Sequence, residues 1–169
     1  PVIFFEPKRL YHQGEVDLDA PLADAAPMGL ARVVRAGDDA TLITYGAMVT
    51  TALQAAEAAE DEGISLEVID LRSLSPVDYD TVATSVRKTG RVVVAHEASR
   101  EAGMAAEVIA SVTERCFEYL ESAPLRVTGH DVPYPPAKLE KYHLPDLDRL
   151  LDAADRVLDR PNSLTGADA

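Results

Sequence analysis

The sequence predicts an α/β fold: a three-layer sandwich in which helices cover both faces of a mainly parallel sheet. Short apolar runs that are typical of buried strands alternate along the chain with amphipathic stretches of ten or more residues. Stretches of that length supply the crossover connections that parallel strands require. The 169 residues are enough for one domain with a substantial buried core.

The individual elements follow from local patterns in chain order. Apolar runs predict the strands, Gly63 and Gly90 mark helix ends, and Pro76 opens a helix. Apolar residues at helical spacing predict the helices, and the third of them carries a buried stripe that includes Cys116 and Phe117. The predicted strands cover positions 31–34, 41–45, 66–71, 91–96 and 125–128, and the predicted helices cover 48–62, 77–88, 103–120 and 144–160.

Composition divides the chain into four parts. Positions 1–6 hold a short apolar run, which we expect to be a strand that belongs to a preceding domain. Positions 7–27 are rich in Pro, Asp, Gly and Ala without periodicity, so they are predicted to be an inter-domain linker. Positions 28–161 hold the predicted domain, and positions 162–169 are predicted to be a disordered tail.

The formal net charge of −13 argues against nucleic acid and anionic membranes as partners. No apolar run approaches the roughly 20 residues that a membrane-spanning helix needs. Two explanations of the acidic excess stay open: solubility, which includes solubility in the cytoplasm of a halophile, and a docking face for a basic partner. The single Cys116 allows no disulfide framework, which favours a reducing, cytoplasmic location, and its helical context predicts a core residue.

The stretch at positions 66–78 is the most informative part of the sequence. It predicts a buried strand that ends in a polar, proline-containing loop and leads into a helix. Asp70, Arg72 and Asp78 are therefore expected at the carboxyl end of a strand, where open α/β sheets build their sites and interfaces. We expect Asp70 and Arg72 to form an ion pair that fixes this loop.

Two histidine–acid pairs are expected to follow strands at the same end of the sheet: His96 with Glu97, and His130 with Asp131. An imidazole beside a carboxylate can act in acid–base catalysis, but neighbours on a strand point to opposite faces. A hydrogen-bonding or interface role is therefore favoured for His96, Glu97 and Asp131. The sequence shows no phosphate-binding glycine loop, nucleophile elbow or metal-ligand spacing, so we predict no catalytic, cofactor-binding or metal-binding residue.

Taken together, the motifs resemble the β subunit of the thiamine-diphosphate-dependent E1 component of 2-oxo acid dehydrogenase complexes. Six segments occur in the order of that family and cover nearly the whole chain, so the combination is specific although each motif alone is weak. The segments are FEPKRLY at 5–11, TLITYGAMV at 41–49, LEVIDLRSLSPVD at 66–78, TGRVVVAHEA at 89–98, LRVTGHDVP at 125–133, and LE at 139–140 followed by LP at 144–145.

The resemblance implies that the chain is the transketolase-type carboxyl-terminal domain of such a subunit, with positions 1–6 as the last strand of a pyrimidine-binding domain. It also implies that the catalytic groups and the site for thiamine diphosphate and Mg lie in that preceding domain and in the E1 α subunit. This chain alone is therefore expected to bind no cofactor and to be inactive. The complete enzyme would oxidatively decarboxylate pyruvate or a branched-chain 2-oxo acid and acylate the lipoyl group of E2; the motifs are mixed between these two substrate types.

What the resemblance assigns to this domain is assembly. The implied partners are the E1 α subunit, a second E1 β subunit in an α2β2 tetramer, and the basic peripheral subunit-binding domain of E2. Family members that bind E2 in this way carry a carboxylate just before the last strand, and Glu121 stands at that position. A charge-assisted pair between this carboxylate and an arginine of E2 fits the chemistry of such docking.

Two alternatives stay open. One is a free-standing, non-catalytic dimerisation or interaction module with the same fold. The other is a different transketolase-like family, such as the deoxyxylulose-phosphate synthases or the ferredoxin oxidoreductases. Those families would share the loop at 70–78 but are not expected to share the segments at 5–11 and 126–133.

Overall fold

The computed structural model describes residues 1–3 and 27–160. The strands are β1 (Arg32–Arg35), β2 (Ala40–Thr44), β3 (Leu66–Asp70), β4 (Val92–Ser99) and β5 (Leu125–Gly129). They form one sheet in the order β1-β3-β2-β4-β5. Strands β2 to β5 pair in parallel, and β1 pairs antiparallel with β3 at one edge. The predicted α/β fold with a mainly parallel sheet is therefore confirmed.

Helices cover both faces of this sheet, as predicted. They are α1 (Met48–Asp61), α2 (Tyr79–Thr89), α3 (Met104–Cys116), α4 (Glu140–His143) and α5 (Leu147–Val157). Helices α1 and α5 pack on one face in a core that includes Leu42 and Val68, and α2 and α3 pack on the other in a core that includes Ile43 and Ile69. Neighbouring strand residues point to opposite faces, so the inner strands carry apolar residues on both faces. A few buried polar residues, such as Thr41 and Glu67, lie among them. Cys116 is buried, as its helical context predicts.

The predicted helix at 103–120 is too long. The α-helix ends at Cys116, and Phe117–Tyr119 forms a turn of 3-10 helix. Cys116 has left the helical region, with φ −133°, and the tighter winding that follows moves later side chains out of the helical stripe. Phe117, which the helical spacing places inside, is consequently 72% exposed.

The predicted helix at 144–160 begins too early. A proline disfavours helical backbone at the residue before it, and Leu144, which precedes Pro145, is extended with φ −70° and ψ 143°. The chain therefore ends the short helix α4 and starts α5 afresh, with Asp146 as the N-cap whose carboxylate accepts from the backbone N–H of Arg149.

Several sequence-based predictions lie largely outside the described residues. Val2 and Ile3 are exposed and belong to no strand of the described structure. The remainder of the predicted strand at 1–6, nearly all of the linker at 7–27 and the tail at 162–169 lie outside the described ranges. Within those ranges, no helix combines the length and the apolar character that crossing a membrane requires.

Candidate functional site

The carboxyl end of the sheet brings together most of the residues that the sequence singles out. Thr44 on β2 is opposite Asp70 on β3, and His96 on β4 is opposite Thr128 on β5. The Thr44 hydroxyl donates to the carbonyl of Ala95 at 2.9 Å and so ties β2 to β4. Polar side chains of β2, β3, β4 and β5 therefore lie at this end of the sheet.

Asp70 holds the loop after β3 in a way that differs from the prediction. In place of the expected ion pair, the backbone N–H of Arg72 donates to Asp70 Oδ1 at 3.0 Å. Arg72 has a positive φ of 58°, and its side chain is exposed. Aspartate side chains in loops commonly accept a hydrogen bond from the backbone N–H two residues later, as Asp70 does here. The loop is therefore held without a contribution from the charge of Arg72.

Asp78 organises the start of α2. Its carboxylate accepts from the backbone N–H of Thr81 at 3.1 Å, from the Thr81 hydroxyl at 2.7 Å and from the backbone N–H of Ala31 at 3.0 Å. Burial alone would raise the pKa of this carboxyl, but hydrogen bonds led by the Thr81 hydroxyl lower it overall. Asp78 therefore caps a helix and anchors the segment that enters β1.

His96 lies beneath the amino end of α3 and is 0% exposed. Its ring centroid is 6.0 Å from that of Tyr45, and a Cβ added to Gly103 would lie only 2.7 Å from His96 Cε1. The imidazole is close to the backbone of Ala98, but neither ring nitrogen makes a hydrogen bond of acceptable geometry within the described residues. Burial lowers the pKa of His96, because removing water penalises the imidazolium.

The predicted end of the fourth strand at position 96 is wrong, because β4 continues to Ser99 with an irregularity in its pairing to β5. His96 and Glu97 therefore lie within the strand, and Glu97 is half-buried. Consecutive strand residues face opposite sides, so the two side chains do not form an acid–base pair. Asp131 does hold a loop: its Oδ1 accepts from the backbone N–H of Glu101 at 2.8 Å.

Glu121 lies at the opposite end of the sheet, where β4 and β5 begin. Its Oε2 is 2.5 Å from Arg91 Nη2, and its backbone N–H donates to the carbonyl of Gly90 at 2.8 Å. The Glu121 side chain is 58% exposed and that of Arg91 is 30% exposed. Glu121 is therefore separated from the carboxyl-end cluster, and its charge has an exposed partner within the same chain.

Two features beside β5 were not among the sequence-based predictions. His143 is buried on α4, with its ring against those of Tyr134 and His130. Four arginines, Arg100, Arg126, Arg149 and Arg156, line a single pocket. The seven-residue spacing between Arg149 and Arg156 on a predicted helix was the available signal, but only the packing of α5 beside β5 brings the other two arginines to them.

The chemistry of the carboxyl end is that of a rigid scaffold. Asp70, Asp78 and Asp131 each accept hydrogen bonds from backbone N–H groups, so these carboxylates are engaged in shaping loops. Among the described residues, no group of three or more His, Cys, Asp or Glu side chains is placed to hold a metal ion. The arrangement positions loops and presents a surface.

Comparison with known protein families agrees with the fold. The family model described as "Transketolase, C-terminal domain" matches residues 29–150. The chain belongs to this family of transketolase carboxyl-terminal domains.

The relatives within that class are more specific, and they confirm the resemblance to E1 β subunits. The chain is 54% identical over 160 residues to the pyruvate dehydrogenase E1 component subunit beta of Leifsonia xyli subsp. xyli. That match covers 94% of this chain and 46% of the relative. The chain is also 52% identical over 163 residues to the 3-methyl-2-oxobutanoate dehydrogenase subunit beta of Mycobacterium tuberculosis. That match covers 95% of this chain and 46% of the relative. The chain spans about half the length of the curated relatives it matches.

A solved structure supports the same fold. A protein described as "Split gene transketolase, inactive beta4 tetramer" superimposes with a TM-score of 0.69 and 33% sequence identity. The match covers 86% of this chain and 46% of that one. The three-layer arrangement is therefore that of a transketolase-type domain.

Proposed function

We propose that this chain is the assembly and E2-docking domain of the β subunit of a 2-oxo acid dehydrogenase E1 component. One observation carries the proposal. E1 β subunits of the pyruvate type and of the 3-methyl-2-oxobutanoate type match 94–95% of this chain at 52–54% identity, within less than half of their own length. The relatives divide between the two substrate types, so the proposal covers both pyruvate and branched-chain 2-oxo acids.

In this proposal the reactive centre lies outside the domain. The complete enzyme uses thiamine diphosphate and Mg to decarboxylate the 2-oxo acid oxidatively and to acylate the lipoyl group of E2, in the cytoplasm. The partners of the domain are the E1 α subunit, a second β subunit and E2. Asp70, Asp78 and Asp131 each accept a hydrogen bond from a backbone N–H group and so shape loops, which supports a scaffold role.

Glu121 has the properties that docking to a basic domain requires. Its side chain is more than half exposed, and its backbone is fixed by the bond to Gly90. The ion pair with Arg91 is open to solvent on the Glu121 side, and ion pairs at the surface contribute only about 0–1 kcal/mol. Glu121 can therefore exchange Arg91 for an arginine of a partner at little cost. The net charge of −13 adds long-range attraction to a basic partner.

A calorimetric titration of the chain with the E2 peripheral subunit-binding domain tests this proposal. Glu121→Arg is expected to weaken binding by about 2 kcal/mol or more, roughly 30-fold, because it puts like charges in contact. Glu60→Arg is the matched control. Glu60 pairs with Arg35 at 2.6 Å at the other edge of the sheet, with side-chain exposures of 72% and 28%, and its reversal is expected to leave the affinity unchanged.

Two results would contradict the proposal. If the unaltered chain does not bind the E2 domain, the docking function is wrong. If Glu121→Arg and Glu60→Arg bind it equally tightly, docking occurs elsewhere on the chain and Glu121 has no part in it.

A further inference from the structure

Four arginine side chains line one pocket at the β5 edge of the sheet. Arg126 lies on β5, Arg100 follows β4, and Arg149 and Arg156 lie on α5 around a pocket of about 240 Å³. The whole sequence contains 16 lysine and arginine residues and carries a net charge of −13. A quarter of its basic residues are therefore concentrated at one small site in an acidic chain.

The positions of β5 and α5 in the fold bring these arginines together. Arg149 and Arg156 are seven residues apart on α5, about two turns, and so share one face of the helix. Among the described strands, β5 pairs with β4 alone and forms an edge of the sheet, beside which α5 packs. Arg126 Nη1 donates to the carbonyl of Arg100 at 3.3 Å, and Arg149 Nη2 donates to the carbonyl of Thr128 at 2.6 Å. These carbonyls orient the guanidinium groups without neutralising them.

The charges of the pocket are not balanced by the residues that line it. The acidic residue in the lining is Asp152, whose Oδ2 lies 3.7 Å from Arg156 Nη1. Four arginines against one aspartate leave three positive charges. Arg149 Nη1 is also buried without a hydrogen-bond partner among the described residues. Clustered like charges and a buried donor without an acceptor both disfavour the empty site.

We propose that this pocket binds a small multivalent oxyanion, a phosphate or a phosphate ester. Planar guanidinium groups match the geometry of phosphate oxygens and bind them through paired N–H donors. A volume of about 240 Å³ lies below the roughly 300–1,000 Å³ of sites for drug-sized ligands. The ligand is therefore a phosphate with at most a small organic group. Its charge compensates the arginines and links β5 to α5.

Binding is tested on the 169-residue chain with inorganic phosphate and pyrophosphate as probes. Pyrophosphate is expected to raise the Tm saturably, and by more than sodium chloride at equal ionic strength, because a ligand of the folded state stabilises it by mass action. Titration calorimetry is expected to show one site. Arg100→Gln and Arg126→Gln are each expected to weaken binding at least tenfold.

Arg35→Gln is the matched control. Arg35 lies on β1 at the opposite edge of the same sheet, and Glu60 already neutralises it, so its removal is expected to leave the pyrophosphate affinity unchanged. Arg100 is exposed, so Arg100→Gln should fold even if Arg126→Gln does not, and it decides the outcome alone in that case. Far-UV circular dichroism verifies folding.

Three results would overturn the proposal. An equal rise in Tm with chloride would reduce the effect to general charge screening. Unchanged pyrophosphate affinity in folded Arg100→Gln would place the site elsewhere. Binding of an aspartate-rich peptide, with no binding of phosphate or pyrophosphate, would assign the arginines to an acidic protein partner.

Discussion

The carboxylate of Asp78 joins two distant segments of the chain at the carboxyl end of the sheet. It caps α2 through Thr81 and holds Ala31, 47 positions earlier in the chain. Its position after Pro76 makes the cap visible in the sequence, because aspartate is a preferred N-cap residue. The bond to Ala31 is not visible there, since it depends on how the segment before β1 passes over the loop.

Asp78→Ala is expected to destabilise the domain by about 1–3 kcal/mol, because it removes a helix cap and leaves two backbone N–H groups without their acceptor. Urea denaturation followed by circular dichroism measures the change. Asp80→Ala is the control: Asp80 lies two residues further along, and its 98% exposed side chain forms an ion pair with Arg115 at 3.6 Å. Equal losses in the two variants would contradict the cap assignment.

His96 predicts how stability depends on pH. The unfolded chain protonates this imidazole near its ordinary pKa of 6.5, whereas burial lowers the pKa in the folded state. The folded state therefore binds fewer protons than the unfolded state. The contribution of His96 to the free energy of unfolding is fully present above about pH 6.5 and is lost as the pH falls toward the lowered pKa. The loss is at most about 1.4 kcal/mol per pH unit. His96→Gln is expected to flatten this dependence in urea titrations between about pH 7.5 and pH 5. A slope unchanged by the substitution would mean that other groups cause the loss.

At the scale of elements, Gly103 explains how α3 can start directly above His96. Its φ of −80° needs no glycine, but a Cβ would lie 2.4 Å from the carbonyl oxygen of Ser99 and would press on the His96 ring. The requirement is space, because the helix start approaches the backbone of β4. The sequence shows a glycine before an apolar helix and cannot show what lies beneath it.

Gly103→Ala is expected to cost about 1–3 kcal/mol or more through overpacking, because backbone cannot yield as a flexible side chain can. Gly46→Ala provides the opposite case: φ is 62° there, and nothing lies within 4 Å of the added Cβ. It is expected to cost only about 1 kcal/mol of backbone strain. Urea denaturation compares the two, and a milder effect at Gly103 would refute the close-approach argument.

The elements also show what the sequence can and cannot specify. Strands β2 and β3 were predictable because each is a short run with apolar residues on both faces, and α1 was predictable because its alanines recur at helical spacing. The end of α3 was missed because the apolar pattern continues through Phe117 after the winding has tightened. The start of α5 was missed because Leu144 fits the apolar stripe, although Pro145 carried the signal of a break.

At the scale of the molecule, the family was predictable from six ordered motifs, whereas the arginine pocket was not. Each motif is a run of consecutive residues, so the six and their order can be found in the sequence without knowledge of the packing. The pocket joins a strand, a loop and a helix between positions 100 and 156. No spacing rule connects those segments before α5 is packed beside β5.

Because the proposed reactive centre lies outside this domain, we expect that this chain alone does not decarboxylate 2-oxo acids. With thiamine diphosphate, Mg²⁺ and pyruvate or 3-methyl-2-oxobutanoate, CO₂ release is expected to equal that of a sample without protein. The reason is that, in this proposal, the groups which bind the cofactor and carry out the reaction lie outside the domain. A complete E1 of the pyruvate type serves as the positive control. Turnover by the chain alone would place a reactive centre within it.

The two borders of the sheet have a consequence for how the protein behaves at high concentration. Strand β1 begins and ends with Arg32 and Arg35, and β5 carries Arg126, so each outer strand bears guanidinium groups. If a second molecule aligned its own outer strand there, arginines of the two chains would come close together, which disfavours edge-to-edge pairing. We therefore expect the domain to resist growth into fibrils, even though its inner strands are among the most apolar segments of the chain.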